Sequence, residues 1–173
     1  MNRRTFLGPF VIMINRSANT LLYILLMLAL HPEVQETLRA EIYQVCGTEI
    51  PRYEHLSKLV YPLCVMYETL RLFPIITGIP KCTIQDEMLL GKYYFPNGTT
   101  LVFDVVQLHR NPKYWGHDVD NFNPSRFDGR TDPFRIDEAS EKVILPCKTA
   151  FLPFSDGPRA CLGTLLSWKL IHH

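Results

Sequence analysis

"PFSDGPRACLG", residues 153–163, sets one arginine and one cysteine among turn-forming residues in a short loop. A buried structural cysteine needs no such setting. A cysteine held as a thiolate does, because the anion must be stabilised by backbone N–H groups and nearby positive charge. Gly157 lets the chain fold over close to something flat, and Gly163 lets a helix start pack tightly behind the loop. Arg159 is placed to pair with an anion on that same flat partner. The stretch reads as a cradle.

The rest of the chain narrows what the partner is. At 173 residues, with 47% hydrophobic residues, the sequence has the size and apolar content of one domain with a core. A net charge of +1 and the lack of a Lys/Arg cluster argue against nucleic-acid binding. The cysteines are Cys46, Cys64, Cys82, Cys147 and Cys161, odd in number and without a CxxC pair. That spacing argues against a zinc site or a disulfide framework and suits a reducing setting.

The beginning of the chain, "MNRRTFLGPFVIMINRSANT", has a basic start and an apolar stretch, a weak likeness to a secretory signal. A second apolar run, Leu21 to Leu30, follows at once and is too short to cross a bilayer, which takes ~20 residues. Joining the two runs would put Asn15 and Arg16 near mid-membrane. Residues 10–30 therefore read as one long, buried core helix, with a signal or anchor as the alternative. "HPEVQETLRAEIYQVCG" reads as a second helix, opened by Pro32 and Glu33 and stopped by Gly47. Val34, Leu38, Ile42 and Val45 fall on one of its faces. A short polar helix is expected near "RYEHLSKL", and a buried one over "YPLCVMYETLRLFP", closed by Pro74.

Downstream, "KCTIQDEMLLGKYYFPNGTTLVFDVV" has β-branched and aromatic runs broken by Gly91 and by "PNG", which signals strands and a hairpin. "LHRNPKYWGHDVDNFNPSRF" reads as an irregular loop, and "DGRTDPFRIDEASEKVI" as a solvated excursion. "LGTLLSWKLIHH" begins a helix. Helices first and strands later give a mainly α fold with a small β component, α+β.

Two further stretches bear on chemistry. In "YETLR", Glu68 and Arg71 lie three apart on one helix face. Taken alone, such a pair is a solvated surface pair of little worth. A buried pair needs more partners for the guanidinium donors. "FNPSRF" offers one: Arg126, set between Phe122 and Phe127 in a loop pinned by Pro124, either lies on a surface turn or docks on Glu68.

In this order and at these separations, "YETLR", "FNPSRF" and "PFSDGPRACLG" resemble the C-terminal part of a cytochrome P-450, the haem-thiolate family. The likeness runs from about Ser17 to about Gly163. The cysteine loop matches the pattern FxxGxRxCxG at Phe154, Gly157, Arg159, Cys161 and Gly163. The resemblance implies that the flat partner is haem b and that Cys161 is the axial ligand of its iron. A thiolate there donates electron density that favours O–O cleavage. It also implies that Phe154 packs beside the thiolate, that Arg159 and Lys81 pair with haem propionates, and that Glu68, Arg71 and Arg126 form a structural triad behind the haem. Lys81 stands where relatives carry an arginine, and a lysine lacks the bidentate fork. His109 and His117 read as structural rather than as metal ligands.

The sequence departs from the family in the long first helix. Relatives carry an acid followed by Thr there, preceded by Ala-Gly; here Asn15 and Arg16 follow Ile12 and Met13, with Ser17 the nearest hydroxyl. No catalytic residue is assigned. Relatives are also roughly three times longer, so the expectation is one partial domain over residues 1–173, without a second domain or a membrane anchor, and with little or no activity alone. The family implies an apolar substrate, a reductase partner and the cytoplasmic face of the endoplasmic reticulum membrane. Ile75, Ile76 and Thr77 resemble a substrate-facing segment. The alternatives are a haem-thiolate isomerase or dehydratase that needs no oxygen activation, and a non-catalytic fragment.

Overall fold

A computed structural model describes residues 4–56, 58–129, 148–158, 160 and 161. Four helices come first: α1 (Arg4–Leu30), α2 (Pro32–Cys46), α3 (Tyr53–Leu56) and α4 (Tyr61–Leu72). Short strands follow, β1 (Gly78–Cys82), β2 (Glu87–Leu89), β3 (Tyr93–Phe95) and β4 (Thr100–Asp104). Two single-turn helices, α5 (Val105–His109) and α6 (Pro112–Trp115), and 3₁₀ turns at Pro124–Phe127 and Lys148–Ala150 complete the described chain. The fold is α+β, as the sequence indicates.

The core is built around α4. Leu63, Cys64, Val65, Met66, Tyr67, Leu70 and Leu72 are all buried, so this helix is covered on every side. It packs on α1, α2, α5 and the Pro124–Phe127 turn. Its start has no cap of its own, because Val60 at the N-cap position offers no side-chain acceptor. Glu41 of α2 fills that role from a distance: its Oε1 accepts the amides of Val60 at 2.6 Å and Tyr61 at 2.8 Å. A carboxylate there satisfies two orphan donors and complements the positive helix end. Glu41→Ala is expected to destabilise the chain by about 1 kcal/mol, the worth of a lost cap. Glu41→Gln should recover part of the loss, and urea unfolding of the three proteins measures both effects. The helix stops at Phe73 because Pro74 disfavours helical backbone before it.

Pro32 and Gly47 bound α2 as the sequence implies, with Gly47 at φ +61°. The chain bends by 109° between α1 and α2. The reading of residues 10–30 as a buried core helix needs correction. Among the described side chains of α1, which run from Ile14 onward, only Met27 and Leu28 are buried, with Ile24 packed against the core and Tyr23 stacked on Phe73 at 5.0 Å. Leu21, Leu22, Leu25 and Leu30 are each more than 60% exposed. Its described side chains meet the core through Tyr23, Ile24, Met27 and Leu28, along one edge of its last turns. Among the described residues, no single helix is long and apolar enough to cross a membrane.

The strands form two antiparallel pairs. In the outer one, β1 pairs with β4 from Gly78↔Asp104 to Cys82↔Thr100; in the inner one, β2 pairs with β3. Leu90 (φ +56°) and Gly91 (φ +63°) turn the inner hairpin, and the Lys92 amide closes it on the Leu89 carbonyl. Two successive positive φ values are the backbone of a type I′ turn. Asp86 braces the arm by accepting from the Tyr94 hydroxyl and the Asn97 amide. These hydrogen bonds hold the Asp86 carboxyl below its ordinary range.

The segment after β4 is more regular than its turn formers suggest. Asp104 caps α5 through the Gln107 amide, Asn111 caps α6 through the Lys113 amide, and Asn123 caps the turn at Pro124 through the Ser125 amide. Three side-chain acceptors thus convert an apparent loop into three helical turns.

Candidate functional site: the buried charge network and the cysteine loop

Glu68 and Arg71 lie on the inner face of α4 and are fully buried. They form a two-pronged ion pair, Arg71 Nε to Glu68 Oε2 at 2.7 Å and Arg71 Nη2 to Glu68 Oε1 at 2.8 Å. Arg71 spends its remaining donors on main-chain carbonyls: Nη1 on His109 and Val119, at 3.0 and 2.7 Å, and Nη2 on Asn121 at 3.3 Å. All five guanidinium N–H groups are thereby used. The pair is not the solvated surface pair that its spacing taken alone would suggest, because the loop after α5 folds its carbonyls over the guanidinium.

Arg126 completes the set. Its Nε donates to Glu68 Oε1 at 3.3 Å, and its Nη groups donate to the carbonyls of Trp115 and Asp118 and to the Asp118 carboxylate at 2.5 Å. The Asn123 amide also donates to Glu68 Oε1, at 2.9 Å. Glu68 is buried between the two guanidinium groups, and Asp118, half-exposed at the edge of the network, supplies the second carboxylate that balances them. Hydrogen bonding from Arg126 holds the Asp118 carboxyl below its ordinary range. An aspartate in a turn-rich stretch signals only a turn, so the sequence does not mark Asp118 for this role.

An aromatic cluster joins this network to the cysteine loop. Phe127, directly after Arg126, is fully buried and lies 5.1 Å from Phe151, 5.5 Å from Tyr67 and 5.8 Å from Trp115, centroid to centroid. Phe154 packs against the same core. The loop beyond it turns through Ser155 (φ +63°) and Gly157 (φ +82°). None of the described residues lies within 4 Å of where a Gly157 side chain would start, and its backbone conformation favours glycine. The loop closes when the Ala160 amide donates to the Gly157 carbonyl and the Cys161 amide to the Phe154 carbonyl, both at 2.9 Å. Cys161 itself is exposed and is a thiol rather than a half-cystine. Arg159 and Gly163 lie outside the described residues. Lys81 sits half-buried on β1, opposite Leu101.

A cleft of ≈ 410 Å³ opens between the ends of α1 and α4 and the loop around Phe122. No residue of the cysteine loop lines it, so it is separate from the thiol. His109, expected to be structural, is fully buried, whereas His117 is exposed.

The cytochrome P450 family's sequence model matches residues 14–168. The chain belongs to the cytochrome P450 family. Secologanin synthase 2 of Catharanthus roseus is 39% identical over 149 residues, covering 84% of this chain and 26% of that protein. The 7-deoxyloganic acid hydroxylase of the same plant is 34% identical over 149 residues, covering 85% of this chain and 26% of its own length. Cytochrome P450 734A1 of Arabidopsis thaliana is 33% identical over 153 residues, covering 87% and 27%. The chain therefore spans about a quarter of the length of the P450 relatives it matches. It is a partial region of a haem monooxygenase family, and that family implies a thiolate-ligated haem.

The described residues suit that group by their donor set. They contain no cluster of three or more His, Cys, Asp or Glu side chains able to hold a metal ion. Cys161, an exposed thiol presented at the end of a closed turn, is the residue that would hold the iron of such a group.

Proposed function

We propose that this chain is the thiolate-side part of a haem-thiolate monooxygenase, one partial domain over residues 1–173 in which Cys161 is the axial ligand of haem b. The observation that carries the reading is the presentation of an exposed cysteine by a closed turn, seated on an aromatic cluster that Glu68, Arg71 and Arg126 fix to α4. When bound, the haem supplies the iron for oxygen activation, with the thiolate favouring O–O cleavage. The chain's own residues hold and orient. Phe154 shields one side of the sulfur, and Gly157 lets the loop lie close to a flat ring. Arg159 and Lys81 pair with the propionates; among the described residues Lys81 makes no ion pair that would compete. Glu68, Arg71 and Arg126 brace the loop and take no part in the reaction.

An apolar substrate, a reductase as electron donor and a place at the cytoplasmic face of the endoplasmic reticulum membrane belong to the same proposal, with Ile75, Ile76 and Thr77 as the substrate-facing segment. The exposed leucines of α1 leave apolar area in water, at a loss of ~25 cal/mol per Å², which should make the chain by itself prone to association; the same proposal has it hold haem poorly and turn over little or nothing. The test is to titrate the chain with haem, reduce it and add carbon monoxide. A weak, substoichiometric thiolate-type Soret band that disappears in Cys161→Ser is the expected result. A band indifferent to Cys161→Ser would overturn the assignment of the ligand.

A second reading keeps the haem and changes the chemistry. Asn15 and Arg16, both exposed on α1, offer no acid–alcohol pair for proton delivery. A peroxide isomerase or dehydratase has no need of one. Conversion of a fatty hydroperoxide without reductase separates the two readings.

A further inference from the structure

The amide of Leu152, nine residues before Cys161, donates to a side chain rather than a carbonyl: His109 Nε2, at 2.9 Å. An amide can only donate, so Nε2 must carry a lone pair and the proton of the neutral ring must sit on Nδ1. The ring is fully buried and lies 5.2 Å from that of Phe151, the residue before Leu152. The carbonyl of the same histidine accepts from Arg71 Nη1 at 3.0 Å. One residue thus touches both halves of the site: its main chain holds the buried charge network and its side chain holds the strand of loop that leads to the thiol.

We propose that His109 is the positioning residue of the cysteine loop, a neutral, Nδ1-protonated latch that ties Leu152, and with it the Phe154–Cys161 turn, to the Glu68–Arg71–Arg126 network. That the latched loop serves a haem rests on the function proposed above; the latch itself does not.

The surroundings suit a neutral ring. Burial pushes the His109 imidazolium down to about 4, against the carbonyls of Arg71 and Leu70, which favour the proton, and with the Arg71 charge, which opposes it. Neither carbonyl closes a hydrogen bond on Nδ1, which has no hydrogen-bond partner among the described residues. Protonating Nε2 would remove the Leu152 acceptor and bring a second cation beside Arg71. The ring therefore works in one protonation state and one tautomer.

The test uses the 173-residue chain labelled with ¹⁵N. Ring nitrogen shifts of His109 near neutral pH should report the Nδ1–H tautomer. In His109→Phe, which keeps the ring but has no acceptor, amide exchange at Leu152 and Cys161 should accelerate by about tenfold, while α4 amides such as Thr69 keep their protection. His109→Gln, whose carbonyl oxygen reaches toward the Nε2 position, should restore most of the protection. Loss of core packing alone would speed α4 and the loop together and would not be rescued by glutamine, which is a poorer filler than phenylalanine. An imidazolium or an Nε2–H ring in the unmodified chain overturns the proposal, as does unchanged loop exchange in His109→Phe. If His109→Phe does not fold, the ring tautomer of the unmodified chain decides. None of these readouts uses haem, so a failed haem titration with an intact latch would reject the function and keep the inference.

Discussion

Replacing Arg71 with alanine is expected to destabilise the chain by about 3–5 kcal/mol, a large share of the roughly 5–15 kcal/mol that holds an ordinary domain folded. The change strands Glu68 as a buried carboxylate that has lost its two-pronged partner. It also leaves the carbonyls of His109, Val119 and Asn121 without the donors they now share. Arg71→Lys should fare little better, since one ammonium cannot span a carboxylate and three carbonyls in the plane that the guanidinium fits. Glu68→Ala should cost a similar amount, because it abandons both Arg71 and Arg126. The double substitution should then cost clearly less than the sum of the two singles, as residues of one network couple strongly. Circular dichroism during urea unfolding measures all four variants. Single substitutions that shift stability by less than about 1 kcal/mol, the range of a surface pair, would show that the network carries little of the fold.

The strength of this network was only half legible in the sequence. Spacing alone places Glu68 and Arg71 on one helix face, and the resemblance brings Arg126 to them. The acceptors that satisfy the guanidinium groups are mostly main-chain carbonyls, at positions 109, 115, 118, 119 and 121, and a carbonyl has no letter of its own. Helix limits were readable wherever a residue enforces them, as Pro32, Gly47 and Pro74 do. The hairpin was readable from Gly91, whereas the three capped turns after β4 were hidden in a stretch rich in Asn and Pro. The first helix differs: an apolar run states that a surface should be covered and does not say by what, and the described residues build no core around Leu21, Leu22, Leu25 and Leu30. His109 was read as structural from its position in that stretch, but its acceptor role depends on a partner 43 residues away.

That role makes the chain sensitive to mild acid. His109 has its folded-state pKa pushed from an ordinary 6.5 to about 4, chiefly by burial. Below pH 6.5 the unfolded chain therefore takes up a proton that the folded chain refuses. Stability from the neutral latch is complete above that value and is lost as pH falls toward 4. Over this window the loss amounts to about 3 kcal/mol, from ~1.4 kcal/mol for each pH unit. Asp118 and Asp86 act in the same sense but lower down: both carboxyls are held below their ordinary range, so their contribution persists until pH falls beneath ~4. The two effects are thus separable on the pH axis. Urea midpoints measured from pH 7 to pH 4 should decline steadily for the parent chain. In His109→Gln, which has no proton to gain, the decline should shrink to a small residual slope, even though the variant starts from a lower midpoint at neutral pH. Parallel slopes for the two proteins would mean that the acid sensitivity arises elsewhere and that the buried imidazole exchanges its proton as readily folded as unfolded.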